Sequence, residues 1–147
     1  MSYDVEQSAE RTAQRAEADV QRETTSGRRP KFRFMDLEIW QDAIELGDRL
    51  FDLADQLESR KLYRCADQLR GSGLSMSNNI AEGSGSSSKR EFSNFLNIAK
   101  RSTFENANVI VVLERRALVS EAVTTDLLEK LDHLCRKITN FQKSLRD

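Results

Sequence analysis

From residue 35 almost to its end, this chain repeats apolar residues every three or four positions, and Pro30 is its only proline. A strand alternates with period two, whereas a helix returns to the same face after three or four residues, so the pattern points to helices throughout. The clearest run is Leu127, Leu131, Leu134, Ile138, Phe141 and Leu145, which steps four, three, four, three, four. That is a single seam on a long rod, and it predicts a helix starting at Ser120 or Thr124 and ending near Leu145.

Three more segments carry the same signature. Between about Met35 and Glu58 there are two adjacent stripes: Leu37, Trp40, Ile44, Gly47, Phe51 and Ala54, then Ala43, Leu46, Leu50, Leu53 and Leu57. Their combined width exceeds one bundle seam, which marks Leu46, Leu50 and Leu53 as candidates for a subunit interface. A second helix runs from about Leu62 to Glu82 on Ala66, Leu69, Gly73, Met76 and Ile80. Gly71 and Gly73 in its middle each cost roughly 1 kcal/mol against alanine, which a close backbone crossing would explain. Ser88 and Glu91 form a capping box that opens the third helix. Residues 109–113 of that helix are apolar in every direction, so Val109, Val111 and Val112 join the interface candidates. Long helices with short connections give an all-α, antiparallel up-and-down four-helix bundle.

Residues 1–31 lack apolar residues almost entirely and are expected to form a polar tail without fixed structure, closed by the sequence from Ser26 to Pro30; residues 32–147 form the bundle domain. Lys+Arg 23 against Asp+Glu 24 gives a net charge of -1, so no global cationic field draws the protein to phosphate backbones. Binding of nucleic acid would need a local patch. Two groups qualify: Arg60, Lys61, Arg64 and Arg70 after the first helix, and Lys100, Arg101, Arg115 and Arg116 along the third. Cys65 and Cys135 are expected to be buried, reduced thiols, since no CxxC motif accompanies them. Neither a membrane span nor an export leader is recognisable, so a cytoplasmic address is the expectation.

Asn79, Ile80, Ala81, Glu82 and Gly83 set an amide and a carboxylate beside the apolar stripe of the second helix. With Glu105 of the third helix, Asn79 and Glu82 are expected to form a buried polar lock that fixes the register of the two helices, with Gly83 as the C-cap. The other reading of Asn79, Glu82 and Glu105 is an enzyme or small-ligand site. Catalysis or metal binding would need further groups, and His133 is the only histidine, with no Glu-x-x-His pair. No catalytic residue, metal or cofactor is assigned. Trp40, Phe92 and Phe95 lie in register with the apolar stripes and are expected to pack in the core. The serines of residues 84–88 are expected to form a flexible joint.

Phe34 to Trp40, Gln68-Leu69-Arg70, Asn79-Ile80-Ala81-Glu82-Gly83, Phe95-Leu96-Asn97-Ile98-Ala99 and Ser102 to Glu105 occur in this order. Together they resemble the four-helix-bundle protein family encoded in 23S rRNA intervening sequences, over about residues 32–145. The accessory variability proteins of diversity-generating retroelements, which assist a reverse transcriptase, look like this family too. The resemblance implies a homo-oligomeric ring of five subunits and a non-catalytic scaffold or accessory role, with RNA or a reverse transcriptase as partner. Those accessory proteins are strongly basic, and this chain is balanced.

Overall fold

The computed structural model describes residues 2–25 and 29–146, with side chains for 7–22 and 29–146. It divides into two units, Met1–Lys31 and Phe32–Asp147. In the first, α1 spans Ser2–Thr25, so the polar tail is helical along the stretch from Glu6 to Glu23 whose residues favour a helix. Glutamate, glutamine, arginine and alanine favour a helix locally even where nothing apolar is buried, and an Asp19–Arg22 pair three residues apart adds to it. The breaker expected at Ser26 to Arg28 lies outside the described residues.

The second unit is the bundle. A 3-10 turn at Arg33–Asp36 leads into α2 (Glu38–Ser59), followed by α3 (Tyr63–Ser84), α4 (Lys89–Arg115) and α5 (Glu121–Arg146). Neighbours in sequence pack together, α5 closes on α2, and no strand occurs among the described residues. Among the described residues no helix is long and apolar enough to cross a membrane. Stacked Phe32 and Phe34, the latter 5.1 Å from Trp40, strap the entry of the chain to α2. The expected N-caps of the last two helices are in place: Ser88 Oγ accepts from the Glu91 amide at 3.1 Å, and Ser120 Oγ from the Val123 amide at 3.2 Å.

The wide apolar face of α2 has an intramolecular use. Leu46, Leu50 and Leu53 are buried in the core of their own subunit, and so are not interface residues. Because α2 packs on both α3 and α5, it must fill two seams, and the second stripe serves that purpose rather than another chain. Gly73 marks the expected close crossing: a Cβ on Gly47 would lie 3.3 Å from the Gly73 carbonyl oxygen, and one on Gly73 would lie 3.2 Å from Leu50 Cβ. Gly71 has nothing within 4 Å, so no crossing explains it.

Gly83 is not a cap. The helix continues to Ser84 and is capped by Gly85 at φ -80, while Gly83 is buried inside α3. A Cβ there would stand 2.7 Å from Phe92 Cδ2 and 2.8 Å from Phe95 Cβ, so glycine is required where α4 lays its first aromatic residues across α3. The left-handed helix ends fall elsewhere, at Lys61 (φ 63) and Ala117 (φ 57). Each lets the next amide reach back, Leu62 to the Leu57 carbonyl at 3.0 Å and Leu118 to the Leu113 carbonyl at 2.9 Å.

The seam between α2 and α5 is closed by charge. On α2 the outward edge is Glu38, Asp42, Glu45 and Arg49; antiparallel to it on α5 run Lys137, His133, Lys130 and Asp126. Lys137 Nζ donates to Glu38 and, at 2.7 Å, to Asp42. Arg49 donates to Asp126, and Lys130 donates to it from the same helix. Asp42 and then Glu38 raise the Lys137 ammonium above its ordinary value. Arg49, followed by Lys130, holds the Asp126 carboxyl below its ordinary value. Arg70 makes a second clasp, to Asp55 at 2.8 Å and Glu58 at 2.6 Å, which removes it from the free basic residues at that turn.

Two outcomes follow for stability. Gly83→Ala forces the Phe92 and Phe95 contacts apart and should cost about 1 to 3 kcal/mol, whereas Gly71→Ala should gain about 0.5 to 1 kcal/mol, both read from urea unfolding midpoints. Because the folded Asp126 value lies below 3.8, its contribution is present above that pH and is lost as the pH falls through the folded value. Asp126→Asn should therefore flatten the acid limb of stability below about pH 4, checked by unfolding titrations across that range.

Candidate interaction surface

Asn79 and Glu82 each stand one residue before a core position, Ile80 and Gly83. One residue is about 100° of helix rotation, which carries both side chains from the core to its outer edge. Asn79 is half-buried; Glu82 and Glu105 are exposed and have no partner among the described residues. The expected lock therefore excludes both carboxylates, whose hydration is retained at the surface. Asn79 Nδ2 donates to the Ser75 carbonyl at 2.7 Å and to Ser75 Oγ at 3.0 Å. Ser75 Oγ meets Ser102 Oγ at 2.8 Å, and Ser102 Oγ also lies 3.0 Å from the Ile98 carbonyl. This hydroxyl pair links α3 to α4 with small groups that leave the helices close.

The buried polar tie is Asn106 on the inner face of α4. It is fully buried, and its Nδ2 donates to the Ser72 carbonyl at 3.0 Å across the same seam. Its Oδ1 has no partner among the described residues. An amide at a heptad core position was the available signal. Gln142 makes the equivalent tie between α5 and α4, donating to the Ser93 carbonyl at 3.0 Å and to Asn97 Oδ1 at 2.8 Å.

Apart from the paired Arg70, the seven remaining candidate basic residues separate into two sets. Arg60, Lys61 and Arg64 are exposed at the turn from α2 to α3, and Arg115 and Arg116 are exposed at the end of α4. The antiparallel topology brings both turns to one end of the bundle. Two helices terminate there, so cations also offset the negative ends of two helix dipoles. Lys100 and Arg101 lie in mid-helix, about 21 Å from Arg115 along the axis. Lys100 is half-buried and turned toward α5, with Nζ 3.4 Å from Thr139 Oγ1, while Arg101 faces solvent.

The apolar run of residues 109–113 divides in the same way. Ile110 and Leu113 enter the core, Val109 packs half-buried against it, and Val111 and Val112 remain exposed. Leu74 of α3 and Ile98 of α4 are exposed as well. Phe92 packs edge-on to Phe141 with centroids 5.4 Å apart, and Trp40 lies against the core, so neither ring is presented for stacking. Phe104 is the aromatic residue that sequence reasoning missed. It is 70% exposed, and its signal was its failure to fall on the inner stripe of α4.

Other chemistry is sparse. Cys65 is exposed and Cys135 half-buried, both free, which corrects the expectation that both are buried: Cys65 precedes the core residue Ala66 and so turns outward. A cleft of about 230 Å³ between α2 and α5 is lined by Asp42, Glu45, Leu46, Arg49, Lys130, His133 and Lys137. Six of these seven belong to the charge ladder itself, and Leu46 is its aliphatic floor. Among the described residues no cluster of histidine, cysteine and carboxylates is arranged to hold a metal.

No curated protein matches the chain. A model of the family described as 23S rRNA-intervening sequence protein matches residues 35–140, which takes in α2, α3 and α4 whole and most of α5. That span holds the Asn79 and Ser102 linkage, the Gly83 notch and the exposed face of α4. The chain is a member of the 23S rRNA-intervening sequence protein family.

Proposed function

We propose that this protein is a non-catalytic scaffold that assembles with copies of itself and presents its helical surfaces to an RNA or protein partner. The observation that carries this reading is the set of apolar side chains left outside a completed core: Leu74 on α3 and Ile98 and Val112 on α4 are all exposed. Isolated exposed apolar residues are ordinary, but these three stand on two adjacent helices, and each forgoes part of the roughly 1.5 to 3 kcal/mol that full burial would contribute. A second subunit would cover them, and with them the exposed Glu82 and Glu105 that border the Asn79 and Ser102 linkage. The ring of five implied by the family resemblance is one closed arrangement of such a head-to-tail contact. Assembly would repeat the basic end of the bundle, Arg60, Lys61, Arg64, Arg115 and Arg116, around one rim and create a cationic surface that a neutral single chain lacks. An RNA, or a nucleic-acid enzyme such as the reverse transcriptase that the resemblance suggests, is the partner such a rim suits.

Light scattering at micromolar concentration should give a mass several times that of one chain. Leu74→Glu combined with Val112→Glu should reduce it to a monomer of unchanged helicity. A wild-type protein that is already monomeric would refute the scaffold reading.

A further inference from the structure

A heptad stripe runs along α4 on the side away from the core: Arg90, Asn94, Asn97, Arg101, Phe104, Asn108, Val111 and Arg115, stepping four and three in strict alternation. All eight are exposed. The stripe holds three arginines, three asparagines and one ring that is 70% exposed, and it contains no acid. The α4 acids Glu91, Glu105 and Glu114 all lie off it. For a chain whose charges balance, an acid-free line about 38 Å long is a strong local bias.

We infer that this stripe is a docking track for single-stranded nucleic acid, with Phe104 as the stacking platform. The inference rests on the RNA-binding branch of the scaffold reading and names the surface it uses. Arg101 and Arg115 stand about 5 and 17 Å from Phe104 along the axis, on its two sides, so a strand stacked on the ring would carry its phosphates past a guanidinium in each direction. Asn94 and Asn108 supply amides that donate and accept toward base edges, while Asn97 is held by Gln142. The track is a single convex helix. It therefore suits bases that are already unstacked, and offers no concave cradle for a duplex. An acidic protein helix would also answer the arginines, but its carboxylates would leave the ring without a planar partner.

The experiment uses the full chain and a fluorescently labelled short oligouridylate, with anisotropy followed over increasing salt. Phe104→Ala should weaken binding roughly tenfold or more, and Phe104→Trp should restore it. Arg101→Gln and Arg115→Gln should each reduce the slope of log affinity against log salt by about 0.7. Val123→Ala, at an exposed apolar site on α5, should leave binding unchanged. Oligothymidylate should compete, and double-stranded RNA should bind markedly more weakly.

Three results would overturn the inference. One is failure of the oligouridylate to depend on Phe104, whether because the wild type does not bind it or because Phe104→Ala binds it equally. Another is polyglutamate bound with the same dependence on Phe104, which would make the track a protein site. The third is loss of assembly together with RNA binding in Phe104→Ala, which would make the ring a subunit contact. Light scattering on the same samples separates these outcomes from failure of the scaffold itself, since an assembled protein that ignores the oligouridylate contradicts only the track.

Discussion

The backbone of α3 approaches both of its neighbours so closely that a Cβ would be tight at Gly73 and would clash at Gly83. Gly73 meets Gly47 and Leu50 of α2, and Gly83 receives Phe92 and Phe95 of α4. These contacts fix the position of α3 along two helices at once, because a slip of one residue would place a side chain where only a hydrogen fits. The small polar ties follow from that closeness. Ser75 and Ser102 reach each other, and Asn106 reaches the Ser72 carbonyl, only because the α3 and α4 axes are near. The first turn of α4 is in turn set by Ser88, which caps it just before Phe92 arrives at the glycine notch.

The opposite side of the bundle is held by a different force. Where α5 closes on α2, the contact is widened by long charged side chains of opposite sign in antiparallel register, Glu38 and Asp42 with Lys137, and Arg49 with Asp126. Exposed ion pairs contribute little stability individually. Their effect is to specify which helix faces which edge, since a parallel or shifted α5 would set Lys137 against Arg49. Apolar burial therefore supplies the energy of the fold, glycine sets the spacing on one side, and charge selects the pairing on the other.

The surface of α4 divides by rotation angle. Its inner stripe enters the core, its α3-facing edge carries Ile98, Ser102, Glu105 and Val112, and its outward stripe carries the arginines, asparagines and Phe104. One helix thus offers distinct chemistry in three directions without any loop. A long unkinked helix makes this possible, because side chains seven residues apart hold nearly the same angle over its whole length.

The four helices of the bundle, their apolar seams, the Ser88 cap and the close approach at Gly73 were legible in the sequence, because each is local or follows from a period. The assignment of Leu46, Leu50 and Leu53 to an interface was not, since periodicity shows that a face is apolar but not what covers it. Asn79 and Glu82 were misread for a related reason. A displacement of one residue from Ile80 and Gly83 is small in the sequence but rotates a side chain out of the core, and only the packed neighbours define where the core ends. The charge ladder between α2 and α5 joins residues nearly the whole domain apart, so no local pattern announced it. The sequence by itself therefore determined which segments are helices and which of their faces are apolar, because hydrogen bonding and helical rotation act within a few residues. Tertiary structure decided which polar groups were buried, which glycines were contacts and which side of α4 remained in water, because those depend on helices brought together from distant parts of the chain.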